Sequence, residues 1–86
     1  MQQFTYTIQD ELGLHARPAG VMAKQVKGYE GTTVTVTKGD KSVNAMKLMA
    51  LMSMAIKQGE TVTVTVEGGN EDANFAAMEQ FFKDNL

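Results

Sequence analysis

The chain contains no cysteine and no tryptophan, and only one proline and one histidine among its 86 residues. Without cysteine there is no disulfide scaffold, thiol nucleophile or thiolate metal cluster, and a lone histidine assembles no zinc site, so neither metal nor cofactor is expected. A basic excess is also missing. Eight Lys and Arg against ten Asp and Glu give a net charge of −2, a poor footprint for a phosphate backbone, which argues against nucleic acid as a partner. The longest apolar stretch, Ala45 to Ile56, is broken by Lys47 and Ser53 and falls short of the about 18 residues a membrane span needs, so no membrane insertion is expected. The opening residues MQQFTYTIQDE have neither the basic start nor the apolar core of a secretory signal and carry Asp10 and Glu11, so a cytoplasmic protein is the expectation.

What remains is 43% apolar and 21% charged, enough to bury one core but not two, so residues 1–86 are expected to form a single domain. Phe4, Tyr6 and Ile8 alternate with polar residues as in a half-buried strand. Thr33 to Thr37 alternates likewise, Gly39-Asp40 suits a two-residue hairpin turn into a short strand near Lys41 to Val43, and TVTVTV from Thr61 to Val66 is the fourth strand.

Between the first two strands, Ala19, Met22, Ala23 and Val26 have the spacing of a core-facing helix stripe, which Gly28 ends. Pro18 is tolerated in a first helical turn, which places the helix start at His15 or Ala16. A middle helix is expected from about Met46, with Leu48, Leu51, Met52, Ala55 and Ile56 toward the core and Met46 and Met49 on other faces. A last helix is expected from Asn70, whose side chain would cap it, burying Phe75, Met78 and Phe82. The order β-α-β-β-α-β-α, with one apolar sheet face, predicts an α+β open-faced sandwich with all helices on one side.

The densest constellation is Leu12-Gly13-Leu14-His15-Ala16-Arg17-Pro18-Ala19. At the cap position, His15 lies beside the free N–H groups of Ala16 and Arg17 at the positive end of the helix dipole. Such N–H groups bind phosphate, and Arg17 adds a planar fork of donors. The same field favours a neutral, nucleophilic imidazole, which points to a phosphohistidine. The plainer reading is an exposed histidine at a helix start. Histidine caps poorly, however, so its presence weakens local stability where charge chemistry is cheap. A serine hydrolase built from His15 with Ser42 or Ser53 lacks a nucleophile elbow.

Opposite the core stripe, Arg17, Gly20, Val21, Lys24 and Lys27 make a basic strip around a small apolar centre, suited to an acidic partner protein. An ordinary solvated helix face is the simpler alternative. Met46 and Met49 on the other faces of the middle helix would add an adaptable contact surface, burial of Met46 under the helix pack being the equal alternative.

Gly13-Leu14-His15-Ala16-Arg17-Pro18-Ala19, together with Val43-Asn44, Leu48-Met49 and Leu51-Met52-Ser53, resembles the two motifs of the HPr family. These are histidine-containing phosphocarriers of the bacterial phosphoenolpyruvate-dependent sugar phosphotransferase system. The resemblance spans nearly the whole chain. It implies four antiparallel strands in spatial order 1-4-2-3 with three helices on one face. It further implies that His15 accepts a phosphoryl group at Nδ1 from phosphorylated enzyme I and donates it to enzyme IIA proteins, helped by Arg17 and the Ala16 and Arg17 amides. The family role is that of a carrier and not an enzyme, here expected as a monomer. Its partners would dock on Gly20, Val21, Lys24, Lys27, Lys47, Leu48, Met49 and Met52. A carrier in a nitrogen-type regulatory relay and an interaction-only module are the alternatives. Three features depart from the family pattern: Lys47 stands where regulated members carry serine, Ala55 where glycine is frequent, and the loop at Glu30-Gly31-Thr32 is slightly long.

Overall fold

Threonine alternates with valine in Thr33–Thr37 and Thr61–Val66, and with Phe4 and Tyr6 near the start of the chain, so these strands have a hydroxyl face and an apolar face, and the apolar faces share one side. A computed structural model describing residues 1–86 contains β1 (Gln2–Thr7), α1 (Ala16–Lys27), β2 (Thr33–Lys38), β3 (Lys41–Asn44), α2 (Leu48–Ser53), β4 (Thr61–Glu67) and α3 (Glu71–Asn85). The sheet is antiparallel throughout, in the order β1-β4-β2-β3. Its register sets Phe4 against Val64, Val34 against Val66 and Val36 against Val64, all facing inward. Thr5 pairs with Thr63 and Thr35 with Thr65 on the outer face, where Thr7–Thr61 and Thr37–Ser42 hydroxyls bond at 2.8 Å.

Element order, strand order and the hairpin at Gly39-Asp40 agree with expectation. Ile8 is buried as expected but lies one residue beyond β1. The core stripe of α1 is as the spacing predicts: Ala19, Met22, Ala23 and Val26 are buried, and Gly28 is the C-cap. On α3, Met78 and Phe82 are buried and Phe75 half-buried. Phe81, absent from the expected stripe, is buried too. Phe82 is the hub of the aromatic packing, edge-on to Phe4 at 5.6 Å, Tyr6 at 5.5 Å and Phe81 at 6.1 Å.

Two expectations about helix ends are corrected. Asn70 makes no side-chain cap to α3. Instead Glu71, in the first turn, turns back to accept the Gly68 N–H at 3.0 Å and meets the Met1 ammonium at 3.0 Å. The middle helix starts at Leu48 with Lys47 as N-cap, two residues after the expected start at Met46, and stops after Ser53. Of its five expected core residues only Leu51 and Ile56 are buried. Leu48, Met52 and Ala55 are exposed, as are Met46 and Met49. The reason is length, because six residues make under two turns and turn a single side chain, Leu51, to the core.

Ala55 ends that helix. Its φ is +50°, the only positive value outside glycine, in the left-handed position that follows many helix C-termini. The Ala55 N–H donates to the Met52 carbonyl at 3.2 Å, while the Lys38 ammonium donates to the Met54 and Ala55 carbonyls at 3.1 and 3.2 Å. Lys38 also pairs with Glu60 at 3.1 Å. The long loop at Glu30-Gly31-Thr32 is tied by Thr32, whose buried hydroxyl donates to the Gly68 carbonyl and accepts from the Asn74 amide, both at 2.9 Å.

Left-handed backbone costs a residue with a Cβ about 1–2 kcal/mol, partly offset by the extra freedom glycine has when unfolded, so Ala55→Gly should stabilise by about 0.5–1 kcal/mol in urea unfolding. The hydrogen bond from the Lys57 N–H, and then Lys38, hold the Glu60 carboxyl below the usual carboxylate range. Its contribution is therefore present above the unfolded-state pKa and lost as pH falls through the lowered folded value. Melting temperature followed from neutral to acid pH should drop less steeply in Glu60→Gln than in wild type.

Candidate functional site

The loop before α1 is shaped by Asp10, whose side chain accepts the Leu12 N–H at 2.8 Å and whose carbonyl accepts the Gly13 N–H at 2.9 Å. Gly13 then adopts φ +64°, and a Cβ there would stand 2.3 Å from the Ile56 carbonyl oxygen and 2.8 Å from Lys57 Cα. Only glycine fits between the two backbones. The next N–H, of Leu14, donates to that same Ile56 carbonyl at 3.0 Å, and the Leu14 side chain is buried.

His15 follows at once as the N-cap of α1, in extended conformation with φ −95° and ψ −179°. Its carbonyl accepts the Ala19 N–H at 3.1 Å, but its ring makes no capping bond. Pro18 has no N–H. The two remaining donors of the first turn, Ala16 and Arg17, have no acceptor within the protein. The cap therefore leaves two backbone N–H groups, a half-buried imidazole and an exposed guanidinium together at the positive end of a 12-residue helix. Arg17 is in neither of the two ion pairs, which join Met1 to Glu71 and Lys38 to Glu60.

His15, Arg17, Pro18 and Val21 line an open cavity of about 340 Å³. The other walls were missed by sequence reasoning: Asp10 from the loop, and Asp84 and Asn85 from the end of α3. Asp10 had a local signal, the Asp-x-x-Gly turn before the motif. The others had none, because only the folded chain, in which the Leu86 carbonyl oxygen accepts the Gln9 and Asp10 N–H groups at 2.6 and 2.8 Å, brings the end of α3 to this loop. Asp84 and Asp10 each spend one carboxylate oxygen on a neighbour, on Gln80 at 2.7 Å and on Leu12.

The expected docking residues are brought together. Helices α1 and α2 pack side by side. Arg17, Lys24 and Lys27 are exposed on α1 beside Val21, which is 50% exposed, and Lys47, Leu48, Met49 and Met52 are exposed along α2. Gly20 is half-buried, and a Cβ there would meet no atom within 4 Å, so its smallness shapes the surface and is not demanded by packing.

Gly13 and Gly20 thus predict opposite outcomes. Gly13→Ala should lose about 2–4 kcal/mol in denaturant unfolding, from left-handed strain plus the backbone clash, whereas Gly20→Ala, in a helix interior with open space, should hold or gain stability by up to about 1 kcal/mol.

The family described as PTS-HPr, PTS HPr component phosphorylation site, matches residues 2–84. The chain is 36% identical over 80 residues to the phosphocarrier protein HPr of Mycoplasma capricolum, covering 93% of this chain and 89% of that one. A solved structure of the histidine-containing phosphocarrier protein from Mycoplasma superposes with a TM-score of 0.91 at 35% identity, over 96% of this chain and 93% of that one. HPr from Bacillus anthracis does so with a TM-score of 0.85 at 28% identity, over 94% and 95%. With the family match, the curated relative and the superposed folds all in agreement, the chain belongs to the HPr family of phosphocarriers of the phosphotransferase system.

Proposed function

We propose that His15 is the residue that carries the phosphoryl group, taking it from phosphorylated enzyme I and giving it to sugar-specific enzyme IIA proteins, in the cytoplasm and as a monomer. The observation that carries this reading is the pair of unpartnered N–H groups, on Ala16 and Arg17, beside an imidazole that caps nothing. In the transfer, the lone pair of neutral His15 Nδ1 attacks phosphorus while the donor's N–P bond breaks, its electron pair staying on the donor nitrogen. The phosphoryl oxygens gather charge as they pass between the two nitrogens. The Ala16 and Arg17 amides and the Arg17 guanidinium meet that charge without having to move far. Asp10 and Asp84, in the same cavity, oppose a resident dianion. A carrier gains from that opposition, because a group held too well is not passed on.

Docking would use the exposed strip of Val21, Lys24 and Lys27 with Lys47, Leu48, Met49 and Met52. Charge steers the encounter and a small apolar centre is covered on contact. Lys47 occupies the N-cap of α2 and is in neither ion pair, which leaves its ammonium open to an acidic partner. The interaction-only alternative is disfavoured by the retention of His15 and Arg17 at one cavity. The sugar relay is preferred to a nitrogen-type relay on the Val43-Asn44 and Leu51-Met52-Ser53 residues.

Incubation with phosphoenolpyruvate, magnesium and an enzyme I should add one acid-labile phosphoryl group to the intact mass, and none to His15→Ala. Arg17→Ala should slow the transfer by about a hundredfold, the effect of removing one transition-state donor. Lys47→Ser should transfer a few-fold more slowly and with a flatter salt dependence. Absence of phosphorylation with several active enzyme I preparations would sink the relay reading, and an unchanged Lys47→Ser would remove that residue from the interface.

A further inference from the structure

The seven methionines divide sharply by position. Met22, Met54 and Met78 are buried in the core, at 0%, 4% and 0% exposure. Met46, Met49 and Met52 are exposed at 39%, 79% and 36%, and Met1 lies at the start of the chain. The exposed three recur at every third residue, Met46 in the turn before α2 and the others on α2 itself, next to exposed Leu48. Neither α2 nor the turn depends on them: Leu51 is the helix's anchor in the core, and the Met46 N–H is held by the Asn44 side chain at 2.9 Å.

We propose that Met46, Met49 and Met52 form a site of reversible oxidation by two-electron oxidants of the peroxide class, and that their sulfoxides switch off partner docking while the fold and His15 stay intact. The functional half rests on the carrier reading given above. In the reaction a sulfur lone pair attacks one peroxide oxygen and the O–O bond breaks. The sulfur keeps that oxygen as a sulfoxide, and the other oxygen leaves as water once protons have been redistributed. The thioether loses two electrons and the peroxide gains them. With no cysteine in the chain, no thiol of the same molecule competes for the oxidant. Burial shields the core methionines, so apart from Met1, exposed at 73%, the damage falls where the partner would sit.

The consequence follows from polarity. A thioether is an adaptable apolar contact, whereas a sulfoxide is a strong acceptor that must be desolvated when a partner covers it and finds no donor prepared for it. Three such groups in one patch raise the cost of docking and leave phosphoryl chemistry at His15 unaltered.

The test is graded hydrogen peroxide treatment of the full chain, followed by peptide mapping, melting temperature and steady-state phosphorylation by enzyme I. The expected map places the early oxygens on Met46, Met49 and Met52, with Met1 alongside and Met22, Met54 and Met78 spared. The melting temperature stays within a few degrees. KM for the carrier rises about tenfold with kcat held, and methionine sulfoxide reductase restores it. The triple variant Met46→Leu, Met49→Leu, Met52→Leu, which retains Met1, should show the same KM before and after peroxide, whatever its starting value. Equal oxidation of buried and exposed methionines would overturn the site, and an unchanged KM in the fully oxidised patch would overturn the switch. If untreated protein accepts no phosphoryl group, the carrier reading fails and takes the switch with it, while a selective map still upholds the site.

Discussion

The contact on which the site depends is between two backbones. Gly13 and Leu14 lie against Ile56 and Lys57 so closely that no Cβ fits at Gly13, and the Leu14 N–H is bonded to the Ile56 carbonyl. The last residues before α1 are pinned at that point. The buried Leu14 side chain fixes one end of the loop, and helix α1, seated in the core by Met22 and Val26, fixes the other. His15 is held between them with no capping bond of its own. On the other side, Ile56 follows Ala55, whose carbonyl is gripped by Lys38, which is in turn paired with Glu60 at the entrance to β4. A line of support therefore runs from the sheet through a surface lysine and a strained alanine to the histidine.

How much of this was legible in the sequence depends on how local each determinant is. The start of α1 could be read because Pro18 admits few helical positions and Gly28 closes the helix, and the hairpin could be read because Gly39-Asp40 spans it. The sheet's inner face followed from strict alternation. The middle helix was misread because its residues are apolar on every side, so periodicity could not say which of Leu48, Leu51 and Met52 faces inward. Only Leu51 does, since the helix is too short to lay down a stripe. Asp84, one half of the acidic wall of the cavity, was beyond reach because it arrives there through the closure of the whole fold. Phe81 was missed for a related reason: besides the side of α3 on the sheet, a second side borders a groove shared with Val21 and Gln25 of α1, and spacing reveals one stripe at a time.

The site itself is lean. Two amides, one imidazole and one guanidinium are its favourable contacts, set against two carboxylates in the same open cavity. A carrier needs a group that can be approached from outside by one protein and then another, and the openness of the His15 cavity suits that use.

The outer face of the sheet carries the remaining consequence. Its strands display threonine beside threonine, with two hydroxyl-to-hydroxyl bonds, Thr7–Thr61 and Thr37–Ser42, little charge and no apolar relief. A protein that collides with this side meets a surface with nothing to hold and nothing to steer by. The molecule is thus two-sided in the sense of a stamp: one side is inked and the back is blank. In the proposed relay, only a fraction of orientations at first touch would be productive, so tumbling after contact would count alongside grip.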